Sequence, residues 1–83
     1  MKDYADRPDY QKRVIDERNE VDERLKKLTL FIQSDKFETL SVPEQRRMNR
    51  QHHIMRRYSV VLMERIEAFE VEVDWRVRVP PQF

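Results

Sequence analysis

Between Tyr10 and Ile32, Val14, Val21 and Leu28 recur every seven residues, and Leu25 and Ile32 fall in the three-four spacing that puts all five on one helical face. A stripe this narrow and regular describes a helix that lies along another helix. Tyr10, Arg13, Arg18, Lys26, Lys27 and Thr29 border it, giving the stripe an aromatic and cationic edge where a binding function is first sought. Pro8 suits a first helical turn, with Asp6 as a cap and Asp9 complementing the helix dipole, so the spacing predicts a helix over 8–33. Acid-first pairs at four-residue spacing, Asp9 with Arg13, Glu20 with Arg24, Asp22 with Lys26 and Glu23 with Lys27, are expected to mark its wet face.

The stretch Ser34 to Leu40 breaks the pattern, and Phe37 and Leu40 are expected to plug the open end of a helical hairpin. Ser41-Val-Pro-Glu44 then reads as a capping box with proline in the first turn. Met48, His52, Met55, Ser59, Leu62, Ile66 and Phe69 alternate steps of four and three, the seam of a second helix. Ile54, Tyr58 and Val61 add a second apolar flank that two helices cannot cover. From Val71 the period becomes two, with Val71, Val73, Trp75, Val77 and Val79 alternating with charges until Pro80 and Pro81, which reads as an extended arm that clasps a neighbour. The alternative reading continues the second helix into it. The expected class is all-α: an arm over 1–7, an antiparallel two-helix hairpin over 8–70 and a tail over 71–83.

A chain of 83 residues buries little of its own surface, so self-association is expected. The chain has no glycine and no cysteine. Phosphate-cradling glycine loops, disulfides, thiolate metal sites and cysteine nucleophiles are thereby excluded. No run approaches the roughly twenty apolar residues of a membrane span, and no apolar core follows the charged start, so the chain is expected to stay where it is made. The net charge is only +1, but it is unevenly shared. Between Glu44 and Ile66 stand Arg46, Arg47, Arg50, Arg56, Arg57 and Arg65 against Glu44 and Glu64, while the segment from Glu67 onward is acidic. An anionic partner would meet the second helix and Lys26 with Lys27.

Catalysis finds little support. His52 and His53 are adjacent, so on a helix they point about 100° apart and cannot chelate one ion. No base is placed beside Ser34, Ser41 or Ser59. The residues read as a binder without cofactor or metal.

The run Tyr10-Gln11-x-Arg13-Val14-Ile15-x-Glu17, then Val21-Asp22-x-x-Leu25-x-Lys27-Leu28-x-x-Phe31-Ile32-x-Ser34, Phe37 and Leu40, and later Glu44, Gln51, Met55, Tyr58, Leu62 and Arg65-Ile66, resembles the small tailed-phage proteins of the anti-CBASS cyclic-oligonucleotide sponge family. That family shares its helical hairpin with sponges that counter the Thoeris defence. The pattern spans about residues 10 to 66. It does not include the alternating tail, and His52 stands where the family usually has an aliphatic residue.

The resemblance implies a compact homohexamer that sequesters cyclic-nucleotide alarm molecules uncleaved, in the cytoplasm of an infected bacterial host. It implies cyclic-dinucleotide pockets between two subunits, built from an aromatic residue, a lysine and a threonine. Tyr10, Lys27 and Thr29 match best, with Lys26 alongside. It also implies cyclic-trinucleotide pockets, each shared by three subunits, that use an arginine late in the second helix, here Arg65. Two rivals stand beside it. One is an RNA- or DNA-binding hairpin dimer whose Arg46, Arg47, Arg50, Arg56 and Arg57 track a phosphate backbone; the other is a ligand-free coiled-coil adaptor.

Overall fold

A computed structural model describes residues 3–71. A 3-10 turn at Tyr4–Asp6 leads into helix α1, Asp9–Ile32; a single turn of helix, α2, follows at Asp35–Glu38, and helix α3 runs Val42–Val71. The described residues are helical and form the antiparallel hairpin that the two seams predict, α1 lying along α3.

Helix starts and ends follow from local chemistry. Pro8 is the N-cap of α1 rather than a residue of its first turn, and its carbonyl receives the amides of Gln11 and Lys12 at 3.0 and 3.2 Å. Asp6 does not cap α1, because it is held in the preceding 3-10 turn. With no glycine available, no described residue takes a positive φ, so neither α1 nor α2 ends in the usual left-handed cap. Instead Gln33 stays near the helical region at φ −83°, ψ −3°, and the Ser34 hydroxyl donates to the Phe31 carbonyl at 2.6 Å. At the start of α3 the Glu44 amide donates to the Ser41 hydroxyl at 3.3 Å, which is half of the expected capping box. The other half is not formed, since the Glu44 carboxylate turns forward to Arg47 at 3.4 Å.

Phe37 and Leu40 plug the hairpin, but at the end closed by the α1–α3 connection rather than at the open end where the sequence reading put them. Phe37 is buried, nearly perpendicular to Phe31 at 6.5 Å between ring centroids, and Leu40 is half-buried. The Gln45 amide donates to the Leu40 carbonyl at 2.9 Å and holds the turn against α3.

Between the helices the apolar seam is thin. Among the described residues only Val14, Phe37 and Leu62 are buried apolar side chains, and Val21, Leu25, Leu28, Met48, Met55 and Ile66 are half-covered. Two helices present one contact line to each other, so side chains at its edges stay partly in water. Ile54, Tyr58 and Val61, the second flank, are exposed, as are Leu30 and Val60.

Two polar ties cross the seam. The Ser59 hydroxyl donates to Asp22, and Thr29 Oγ1 lies 2.8 Å from His52 Nε2. Asp22 and Thr29 are seven residues apart on α1, as are His52 and Ser59 on α3, so both ties belong to one antiparallel register. Asp22 therefore does not mark the wet face. It pairs with Arg18 at 3.4 Å rather than with Lys26, whereas Glu20 with Arg24, at 2.6 Å, and Glu23 with Lys27, at 4.0 Å, form as the spacing suggests. An aspartate at the edge of a seam that faces a serine hydroxyl has a better-shielded partner inside than any lysine outside.

The N-terminal turn folds back along α1. The Tyr4 hydroxyl lies 2.9 Å from both Asp16 carboxylate oxygens, and Lys12 Nζ stands 5.7 Å from the Tyr4 ring centre. Arg7 and Gln11 are buried and joined at 3.2 Å. The hydrogen bond to Asp16, with desolvation and the Asp16 and Asp9 charges adding to it, raises the Tyr4 pKa above its ordinary 10.0. The neutral phenol is thus the form the fold favours: its contribution is complete below pH 10 and is lost as pH rises through the folded value. In an absorbance titration, Asp16→Asn is expected to lower the pH at which Tyr4 ionises.

Helix α3 includes Val71, which overrides the reading of that residue as the first of an extended strand. The remainder of the proposed arm, residues 72–83, lies outside the described residues.

Candidate functional site

The residues nominated from the sequence do not converge within one chain. Tyr10 and Lys27 lie on the same straight helix seventeen residues apart, about 25 Å along its axis. Tyr10 is at the open end of the hairpin, 57% exposed, its ring nearly perpendicular to Phe69 at 5.8 Å and its hydroxyl receiving the Gln11 side-chain amide at 3.1 Å. Phe69 supports the ring on one side and leaves much of it open, as a stacking platform requires. Arg65 stands one turn before Phe69 on α3, half-buried, so the aromatic and the late arginine share this end.

Lys27 is near the closed end and points away from the seam. Its side chain is 76% exposed, and among the described residues it has only the long approach to Glu23. A pair this open is screened and contributes at most about 0.5 kcal/mol, so the ammonium can leave it for a better anion at little cost. Lys26 and Thr29 do come together, lining a shallow groove with Asp22, Leu25 and Leu30.

Thr29 is more constrained than its sequence position suggests. Its hydroxyl donates its one proton to the Leu25 carbonyl at 2.8 Å, so the 2.8 Å bond to His52 must be donated by Nε2–H of the imidazole. That requires a proton on His52 Nε2 and leaves Thr29 only a remaining lone pair, able to accept from a ligand N–H or O–H. His52 is thus a packed polar residue of the seam, as its spacing suggests, and it acts on the candidate site by orienting Thr29.

A second groove between the helices is lined by Val21, Arg24, Leu28, Gln51, Met55 and Tyr58. The sequence signal for it is the apolar flank around Tyr58, which places the ring but not Arg24 opposite it. No group of three or more His, Asp or Glu side chains that could hold a metal occurs among the described residues, and no described helix is long and apolar enough to cross a membrane.

The helical order, the half-buried seam and the exposed flank are the context in which the spaced residue pattern can be judged. No curated protein and no solved structure matches the chain. A family model described as Sequestin matches residues 8–68, which takes in α1, α2 and all but the last turn of α3. That span contains every residue of the pattern likened above to the cyclic-oligonucleotide sponges, and membership carries a sequestering role with it. The chain belongs to the Sequestin family, the sponge family whose spaced residues it resembles.

Proposed function

We propose that this protein is a non-catalytic sponge that binds cyclic di- and trinucleotide immune messengers in pockets formed between copies of itself. It acts in the cytoplasm of an infected bacterial host to block CBASS signalling. The observation that carries this reading is the separation on α1: Tyr10 and Lys27 stand about 25 Å apart on one helix. A pocket that uses both must draw Tyr10 from one copy and Lys27 from another. The exposed flank of Ile54, Tyr58 and Val61 supplies apolar surface for those copies to cover, and a hexamer is the expected assembly.

The chemistry suits the ligand. A cyclic dinucleotide is roughly two-fold symmetric, with two phosphates and two base faces, so a pocket on a dimer axis offers each half one aromatic platform and one lysine. Stacking contributes about 1 to 3 kcal/mol per base, and charge-assisted bonds to phosphate add to it. Nanomolar capture needs about −12 kcal/mol, within reach of two stacked bases and two neutralised phosphates in a preformed pocket. Thr29, limited to accepting, favours a base or sugar that presents an N–H or O–H. Three Arg65 guanidiniums around a three-fold axis would face the three phosphates of a cyclic trinucleotide.

The test is a panel of cyclic di- and trinucleotides added to the full chain. Binding to the folded state raises the melting temperature by mass action, by about 2.7 kcal/mol of added stability at a hundredfold excess over the dissociation constant. Ligand recovered intact after denaturation distinguishes a sponge from a hydrolase. No thermal shift with any ring nucleotide would remove the proposal and leave the polymer-binding hairpin dimer and the ligand-free adaptor.

A further inference from the structure

The side of α3 turned away from α1 carries a second periodic line that neither the hairpin nor the proposed pockets use. Arg46, Arg50, His53 and Arg57 follow one another at alternating four and three spacing, Val60 comes next in the same rhythm, and Glu64 and Glu67 complete it. All are exposed. The face is therefore basic toward the start of the helix, apolar at its middle and acidic toward its end. Around Val60 the surface is slightly concave, a shallow groove walled by His53, Arg56, Arg57 and Glu64 with Val60 and Val61 at its floor.

Within one chain this arrangement is unfavourable. Arg46 with Arg50, and Arg57 with His53 when the latter is charged, put like charges at four-residue spacing. Arginines early and glutamates late also run against the helix dipole. Among the described residues, none of Arg46, Arg50, Arg56, Arg57, Glu64 and Glu67 forms an ion pair. A face whose two halves are opposite in sign about an apolar centre matches its own copy turned through 180°.

We infer that the outward face of α3 is a self-complementary docking surface for a second copy of this chain. The two α3 helices lie antiparallel with Val60 on the two-fold axis. In that register Arg56 and Arg57 of one copy flank Glu64 of the other, His53 faces Glu67 of the other, and Val60 and Val61 of both copies close the centre. Every contact occurs twice, as an isologous interface requires. The antiparallel helices also set their dipoles in opposition. The inference rests on the multi-copy reading above but uses none of its pocket residues, so the two can fail separately.

The experiment is a charge exchange in the full chain, read by light scattering on eluted protein at low salt, with helical content checked by circular dichroism. R56E/R57E sets carboxylates against carboxylate on both sides of the two-fold axis, and E64R sets guanidinium against guanidinium there. Each is expected to weaken this interface at least about tenfold and to lower the subunit count. An equimolar mixture of the two variants restores opposite charges across the mixed pair, and is expected to regain the wild-type count with both variants present in each particle. A folding defect in either variant could not be repaired by mixing. If both variants keep the wild-type mass when separate, or fall apart while still helical and stay apart when mixed, this interface is overturned; stabilisation by cyclic nucleotides would still stand, with another surface building the assembly. Salt-sensitive capture of a single-stranded homopolymer that R56E/R57E loses and the mixture fails to regain would also overturn it, by assigning Arg56 and Arg57 to phosphate.

Discussion

Lys27→Ala is expected to reduce cyclic-dinucleotide affinity by about 100- to 10,000-fold while leaving cyclic-trinucleotide capture intact, and Arg65→Ala is expected to do the reverse. The size follows from symmetry: a two-fold pocket loses two lysines at once, each a charge-assisted bond of about 1.5 to 3 kcal/mol, and every 1.4 kcal/mol is tenfold. Stability should hardly change, because among the described residues Lys27 gives up nothing but the 4.0 Å pair with Glu23 on an open surface. Calorimetric titration of both variants with one dinucleotide and one trinucleotide gives the answer. Equal loss of both ligands in either variant would refute separate pockets, and an unaltered Lys27→Ala would remove that residue from the site.

Leu62→Ala is expected to destabilise the fold more than any other single truncation. Leu62 is 1% exposed, the one large side chain that the hairpin encloses fully among the described residues. Deleting it removes about 2 to 5 kcal/mol from a domain whose whole stability is of order 4 to 12 kcal/mol. The midpoint of thermal unfolding should fall by about 10 °C or more, whereas Lys36→Ala, at an exposed position of α2, should leave it within a degree or two. If the chain assembles as proposed, assembly adds stability by mass action and both midpoints should rise with protein concentration. A Leu62→Ala chain that melts with the wild type would mean that the hairpin seam is not the core.

Much of the fold is legible because helical seams write themselves into sequence as spacing. Val14, Leu25 and Leu28 on α1, with Leu62 and Ile66 on α3, lie where their three-four rhythm puts them, and Phe37 plugs the turn. Polar choices are harder to read, since charge alone does not say whether a partner waits in solvent or across the seam. Asp22 reads in the sequence as one member of a surface pair and instead accepts from Ser59; Thr29 reads as free for a ligand and is already bound to Leu25 and His52. Ser59 and His52 lie more than twenty residues away on the other helix, beyond the reach of local spacing. The folding back of Tyr4 onto Asp16 is hidden for a related reason, because a short polar segment has no period to reveal its partners. The candidate site is legible as a set of residues but not as a place, since its members are scattered over a rod that no single chain can bend into a pocket.

The two ties across the seam, Asp22 with Ser59 and Thr29 with His52, reward one alignment and penalise its neighbours. Sliding α3 by a turn would leave the aspartate and the imidazole without their mates in a half-dry setting, a larger loss than any slip of leucine past leucine. The hairpin therefore behaves as a graduated ruler rather than a zipper. In the proposed assembly every copy would offer its neighbours the same marks at the same distances, and that sameness would let identical rods agree on where the rim of a shared cup should be.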